Sequence, residues 1–208
     1  MAFRQAKMVS HKSKLIKKIN SNLSEYSSCS SDFDLNQDLA SSQKLNFLEA
    51  SVLIPVLTFK EDLEILLTKR SVNLRNHPGQ IAFPGGKKEE CDNNPMETAL
   101  REAEEEIGLK ASDVEVISSL PTHKTATGFT IKPYIGLVRE PFNKTLQWGE
   151  VDEVFTVPFG HILNGKNFSI QTRKWNGVER HYYIVPFGPY YIWGATARIL
   201  LNLSQALD

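Results

Sequence analysis

The sequence predicts an α/β fold, a mixed β-sheet covered by helices, in one main domain with an N-terminal appendage. Three observations carry that expectation. Short β-branched and apolar runs recur between turn-forming clusters, two amphipathic stretches at helical spacing interrupt them, and no internal repeat is visible. With 208 residues, of which 41% are hydrophobic, the chain can bury one well-formed core with some length to spare.

Taken in order, Leu15, Ile16, Ile19 and Leu23 fall at helical spacing and predict a surface helix from Lys12 to Leu23. The same basic, acid-free start also resembles a mitochondrial transit peptide in composition. Residues 26–44, with Ser27, Ser28, Ser30, Ser31, Asp32, Asp34, Ser41 and Ser42, read as a polar linker. The expected division is thus 1–45 as basic helix and linker, and 46–208 as the main domain. Ala50–Leu57 and Glu64–Thr68 are β-like runs either side of Lys60-Glu61-Asp62, which suggests a hairpin. Further strands are expected at Val114–Ser118, Thr130–Val138, Asn167–Trp175 and Val178–Val185. The last two flank Asn176-Gly177, a pair that tolerates positive φ and favours a tight hairpin. Helices are expected from Pro95 to Ile107 and from Ala195 to Ala206.

Charge narrows the partner classes. Arg4, Lys7, Lys12, Lys14, Lys17 and Lys18 lie in the first 24 residues with no acid among them, leaving 18 basic against 24 acidic side chains, net −6, in the remainder. Such a body argues against nucleic-acid wrapping and suits a site that gathers cations. Cys29 and Cys91 alone make a disulfide framework improbable, and no apolar run is long enough to span a bilayer. Cytoplasmic location is the expectation, with mitochondria as the alternative. The C-terminal Gln205-Ala206-Leu207-Asp208 differs from the Ser-Lys-Leu peroxisomal signal.

The Pro95–Ile107 helix carries the chemistry. Asn94 can cap it, Pro95 suits its first position, Glu97 stands where a capping box places an acid, and Gly108 can stop it. Met96, Ala99, Leu100, Ala103 and Ile107 form an apolar stripe, while Glu102, Glu105 and Glu106 share another face. Like charges at that spacing cost stability unless cations compensate. Arg101 is placed for i,i+4 pairs with Glu97 and Glu105, and a divalent ion would compensate further; a solvated acidic face is the alternative. The preceding Phe83-Pro84-Gly85-Gly86 allows close backbone approach to a ligand.

Together these residues resemble the Nudix hydrolase box. Arg101 to Leu109 match its second half, with Ala103 as the first apolar position. The first half departs from it: Asp92 replaces Glu, Cys91 replaces the usual Gly, and the loop is one residue longer. That loop, with Leu66-Leu67-Thr68-Lys69-Arg70-Ser71, Arg75, Gly79 and Phe83 to Gly86, is similar to the coenzyme A pyrophosphatase branch. Trp193 to Ala197 looks like that branch's C-terminal region.

The resemblance implies a Nudix-type α/β/α sandwich with a mixed sheet and a catalytic loop and helix after the Gly-Gly turn. It implies Glu102, Glu105 and Glu106 as ligands of Mg²⁺ or Mn²⁺, with the Gly85 carbonyl as an extra ligand and Arg101 as an orienting partner. The implied reaction splits coenzyme A or its thioesters into 3′,5′-ADP and (acyl-)4′-phosphopantetheine; ADP-ribose, NADH or another nucleoside diphosphate derivative is the alternative substrate. A Nudix-like binding domain without catalysis is the third reading, and the intact glutamates argue against it. Glu150, in Gly149 to Phe155, is the candidate distal base or ligand. Arg70, Arg75 and His77 are candidate phosphate contacts, beside Gly86, with strand-end or surface roles as the alternative. Pro121 to Phe129 reads as a ligand cover or a hairpin connection. Trp175, Tyr182, Tyr183, Tyr190, Tyr191 and Trp193 suit adenine stacking, core packing or a homodimer interface.

Overall fold

A computed structural model describes residues 2–37, 46–175 and 177–208, with side chains from Lys12 onward apart from Ser24. Its elements are α1 (Ala2–Glu25), β1 (Ser30–Ser31), β2 (Leu48–Leu57), β3 (Glu64–Arg70), β4 (Ile81–Ala82), β5 (Gly85–Lys87) and α2 (Pro95–Ile107). Then follow β6 (Val114–Ser119), β7 (His123–Lys124), β8 (Phe129–Val138), β9 (Val151–Pro158), α3 (Phe159–Leu163), β10 (Ser169–Trp175), β11 (Val178–Ile184) and α4 (Gly194–Ala206).

Among the described residues nine strands form one sheet in the order β1-β7-β8-β2-β3-β4, with β5 on β2, β6 on β8 and β9 on β3. The sheet is mixed: β2 runs parallel to β8 and antiparallel to β3 and β5. Helices cover both faces. On one, Ala99, Ala103 and Ile107 of α2 pack on Leu53, Leu57, Leu66 and Val138. On the other, Ile19 and Leu23 of α1 and Ala197, Leu200 and Leu203 of α4 pack on Ile54, Val56, Ile65, Leu67, Ile135 and Leu137. The architecture is therefore an α/β/α sandwich, as the sequence predicts.

Three local expectations change. Residues 26–37, the described part of the 26–44 stretch read as linker, carry β1 and a 3₁₀ turn at Asp32–Leu35. Their short polar side chains act as hydrogen-bonding partners for the body. His123, fully buried, shares a 2.9 Å hydrogen bond with Ser30 Oγ and a 3.1 Å one with Asp32 Oδ1. Asn202 Nδ2 donates to Ser30 Oγ at 2.8 Å, and the Ala126 amide donates to Asp32 Oδ2 at 2.9 Å. The second change is β9, whose Asp152 and Glu153 disguise an inward set of Val151, Phe155 and Val157 at strand spacing. The third is the α2 stripe: Met96 is exposed, while Thr98 and Glu106 are buried with Ala99, Ala103 and Ile107.

His123→Ala leaves Ser30 and Asp32 without their buried partner and opens a cavity, so it is expected to cost about 2–4 kcal/mol. Urea unfolding measures this, and a loss under about 0.5 kcal/mol would show that the N-terminal contacts contribute nothing to folding.

The β10–β11 hairpin pairs from Ser169↔Ile184 to Trp175↔Val178, and Gly177 has φ 81. Its Asn176 lies outside the described residues, as does 38–44 of the linker stretch. No helix among the described residues is long and apolar enough to cross a membrane.

Candidate active site

The site starts with two glycines and one helix. Gly85 takes φ 155, and a Cβ there would collide with the Ser51 carbonyl of β2. A Cβ on Gly86 would fall on the Glu102 carboxylate. The absence of both side chains lets the β5 backbone lie on β2 and lets α2 set Glu102 directly against the turn. Asn94 accepts hydrogen bonds from the Met96 and Glu97 amides, and Gly108, at φ 73, returns its N–H to Ala103 and Glu104. Glu97 serves the start of the helix differently from a capping box on Asn94. It accepts from Asn93 N and Nδ2 and from Asn94 Nδ2, at 2.8–3.0 Å, and so is unavailable to Arg101.

Arg101 instead organises the loop. Its Nε and Nη2 donate to Asp92 Oδ1 and Oδ2, both at 3.0 Å, while Nη1 reaches Glu102 and Glu105 at 3.0 Å each. Asp92 also accepts from Thr98 Oγ1 at 3.0 Å and from the Glu89 amide at 2.9 Å. Three hydrogen bonds, two from Arg101 and one from Thr98 to Asp92, thus close the longer loop onto α2. Paired with Arg101 above all, and despite its burial, the Asp92 carboxyl is held well below the usual carboxylate range. Sequence reasoning gave Asp92 no role; its signal is that the extra loop residue brings a shorter acid to the place of Glu.

The three glutamates are graded by depth. Glu106 is buried, 3.3 Å from the Gly85 amide that donates to it, with Arg70 Nη1 3.9 Å away. Burial pushes its pKa up to about 8; Arg70 opposes that rise, while Glu102 and Glu150 add to it. Glu102 is half-buried, and burial raises its carboxyl too, against the pull of Arg101. Glu105 points outward, its side chain 51% exposed.

Two further groups mark an unbalanced interior: Ser51 Oγ and Arg70 Nε are buried without a hydrogen-bond partner. Among the described residues no three acidic, His or Cys groups already converge as a metal cage, because each glutamate is held on a protein partner. The donor set nonetheless fits a hard divalent ion: carboxylate oxygens beside a glycine turn, with a buried carboxylate short of positive charge.

Glu150 joins this field, since its charge raises both Glu102 and Glu106. Its segment is tied to α2 through Gln147 N, which donates to Glu106 O, and to β3 through Ser71 N, which donates to Glu150 O. Glu150 Oε1 accepts from Gln147 Nε2 at 3.2 Å, while the neighbouring Asp152 accepts from the Val72 amide at 3.0 Å and Glu153 from the Tyr190 hydroxyl at 2.5 Å.

Of the expected phosphate contacts, Arg70 converges on the site but faces Glu106. His77 stands at φ 56, in the region non-glycine residues rarely adopt. Its side chain is exposed at the surface, and partial burial together with Arg70 lowers its pKa against the opposing pull of Asp32. Arg75 is exposed and makes no ion pair or hydrogen bond among the described residues.

Comparison with known proteins agrees with this geometry. A NUDIX domain match spans residues 48–175. The chain is 38% identical over 180 residues to the uncharacterized Nudix hydrolase NudL of Yersinia enterocolitica, covering 86% of this chain and 91% of that one. It is 34% identical over 175 residues to the protein of the same name from Escherichia coli, covering 84% and 90%. A MutT/nudix family protein from Enterococcus faecalis shares the fold at a TM-score of 0.50 and 16% identity, over 80% of this chain and 66% of that one. Similarity on this scale reaches well beyond one loop and one helix, and the chain belongs to the Nudix hydrolase family.

Proposed function

We propose that this hydrolase splits the diphosphate bond of coenzyme A and its thioesters, giving 3′,5′-ADP and (acyl-)4′-phosphopantetheine. The observation that supports this most is the loop from Lys87 to Asn94, one residue longer than the family pattern and clamped by Asp92 to Arg101. Read with Arg70 through Gly86, it has the form of the coenzyme A branch. Arg70, 3.9 Å from Glu106, supports that reading.

In this proposal Glu102, Glu105 and Glu106, with the Gly85 carbonyl, hold Mg²⁺ or Mn²⁺. The bound ion supplies charge neutralisation on the diphosphate oxygens and acidifies a water. The chain's own residues do the rest. Gly85 and Gly86 let the diphosphate approach backbone amides, and Arg101 keeps Glu102 and Glu105 oriented. Glu150, whose charge acts on both Glu102 and Glu106, is the candidate to take a proton from the attacking water. Arg70 and His77 meet substrate oxygens at the rim of the turn.

A substrate panel tests the reading. With Mg²⁺ or Mn²⁺, the protein is offered coenzyme A, acetyl-coenzyme A, NADH, ADP-ribose and a dinucleoside polyphosphate, and products are identified by mass. Coenzyme A or its thioester is expected to show the highest kcat/KM, by at least about tenfold, a transition-state preference of roughly 1.4 kcal/mol. A preference for NADH or ADP-ribose overturns the substrate, and no turnover of any compound overturns the enzyme reading.

A further inference from the structure

The β10–β11 ribbon stands outside the sheet, and every residue of β10 is exposed. A lone two-stranded ribbon is marginal in water, so this one needs anchors. Asn36 provides one, its side chain exchanging two hydrogen bonds with the His181 backbone at 2.8 and 2.9 Å. Arg198 of α4 stacks on Tyr183 and provides another.

The register divides the ribbon into two faces of unlike chemistry. On the face bearing Tyr183, Lys174 opposes Glu179, a favourable cross-strand pair. On the other face Arg173 opposes Arg180, a pairing of like charges that costs stability. That second face carries Gln171, Arg173, Trp175, Val178, Arg180 and Tyr182 and no acid. Neither arginine forms an ion pair among the described residues, and Arg180 Nε is buried without a hydrogen-bond partner.

Aromatic groups lie beside the guanidiniums. Arg173 sits over the Trp175 ring at 6.0 Å, and Trp193 meets Tyr182 edge-on at 5.3 Å. The Tyr191 hydroxyl donates to Gln171 Oε1 at 2.5 Å and lies 3.3 Å from the Tyr182 hydroxyl. The Gln171 amide NH₂ has no partner among the described residues. Trp175 and Tyr191 remain 51% and 43% exposed, enough free ring surface to take a base.

We propose that this face binds a nucleoside phosphomonoester, with Arg173 and Arg180 on the phosphate and the Tyr182, Tyr191, Trp175 surface against the base. A dianionic phosphate removes the like-charge penalty, and fork-shaped donors suit its oxygens. A flat ring suits the neighbouring aromatic surface. The ribbon's root lies toward the glycine-turn end of the sheet. Tyr190 donates to Glu153 of β9, whose β3 partner is Lys69, and Thr196 donates to the Ile81 carbonyl of β4, also paired with Lys69. Resting on the proposed function, the bound moiety is the phosphorylated nucleoside end of the substrate whose diphosphate enters the Gly85 turn.

Calorimetric titration in EDTA separates binding from turnover. The wild-type protein is expected to bind 3′,5′-ADP at least tenfold more tightly than either adenosine or inorganic phosphate. R173Q/R180Q should lose at least tenfold in 3′,5′-ADP affinity with an unchanged circular dichroism spectrum. In turnover assays it should raise KM for coenzyme A, but not for dephospho-coenzyme A, with kcat retained. Equal 3′,5′-ADP affinity in variant and wild type overturns the site. Tight binding of phosphate alone also overturns the nucleoside assignment. If wild type fails to hydrolyse coenzyme A yet loses 3′,5′-ADP affinity on substitution, the substrate reading fails and the ribbon site stands.

Discussion

Glu106→Gln is expected to lower kcat by about 10³-fold and, in EDTA, to make the protein more stable than wild type at pH 8. Glu106 is a buried carboxylate whose pKa rises from the ordinary 4.5 to about 8, chiefly through burial. Between those values the native state holds a proton that the unfolded chain releases. Stability from this group is therefore complete below about pH 4.5 and is lost as pH climbs through 8. The full excursion has an upper limit of about 5 kcal/mol. Gln keeps the shape and carries no charge, so the variant should lose the Glu106 part of that slope and show a shallower pH dependence over the window. Glu105→Gln is the control: its side chain is 51% exposed, so it should lose turnover comparably without altering the pH profile of stability. Chemical denaturation in EDTA at pH 5 and pH 8, with kcat at saturating Mg²⁺, reads both effects. A Glu106→Gln enzyme with wild-type kcat would contradict the metal assignment, and an unchanged pH slope would contradict the buried carboxylate.

Why Glu106 is the deep member of the set is not visible in its spacing. Helical periodicity places Glu102, Glu105 and Glu106 on one face, and α2 confirms its ends at Asn94 and Gly108. Periodicity gives angles about an axis and says nothing of what lies beyond the helix. Here the glycine turn lies over Glu106 and Glu102 and leaves Glu105 in solvent. Long-range contacts are hidden in the same way. Arg70 reads from sequence as a candidate phosphate contact or a strand-end cation, and its approach to Glu106 shows only once β3, β9 and the loop at Gln147 and Glu150 are assembled.

The strands legible in the sequence are those with apolar runs, such as β2, β3 and β8, and the β10–β11 pair that flanks a tight-turn signal. β9 escapes because Asp152 and Glu153 interrupt its run, although the alternate residues Val151, Phe155 and Val157 retain strand spacing. The N-terminal stretch misleads for a different reason. Ser30, Asp32 and Asn36 have linker composition, yet small polar residues are also what a buried histidine and a ribbon edge need as partners. Composition separates these cases only when the partner is known, and His123 lies more than 90 positions away.

Asp92→Ala should have the second large effect, acting through Arg101. The Asp92 side chain is 3% exposed and takes two Arg101 hydrogen bonds, so its loss leaves a half-buried guanidinium short of charge, at a cost of about 3 kcal/mol. Arg101 would then move toward its remaining partners, Glu102 and Glu105, and compete with the divalent ion for their oxygens. The Mg²⁺ concentration for half-maximal activity is expected to rise about tenfold, since one lost charge-assisted contact is worth roughly 1.4 kcal/mol. Acid stability separates charge from shape. The Arg101 hydrogen bonds depress the Asp92 carboxyl, so its stabilisation is present above the ordinary aspartate pKa and disappears as pH falls through the lower native value. Asp92→Asn should lose that acid-sensitive part while keeping the loop's length. Asp92→Glu restores the charge but lengthens a side chain in a loop already one residue longer than the family pattern. It cannot keep the Arg101 pair and the Thr98 and Glu89 hydrogen bonds together, so it should recover stability only in part. A full recovery would mean that charge alone, rather than the matched length of loop and side chain, holds Arg101 in place.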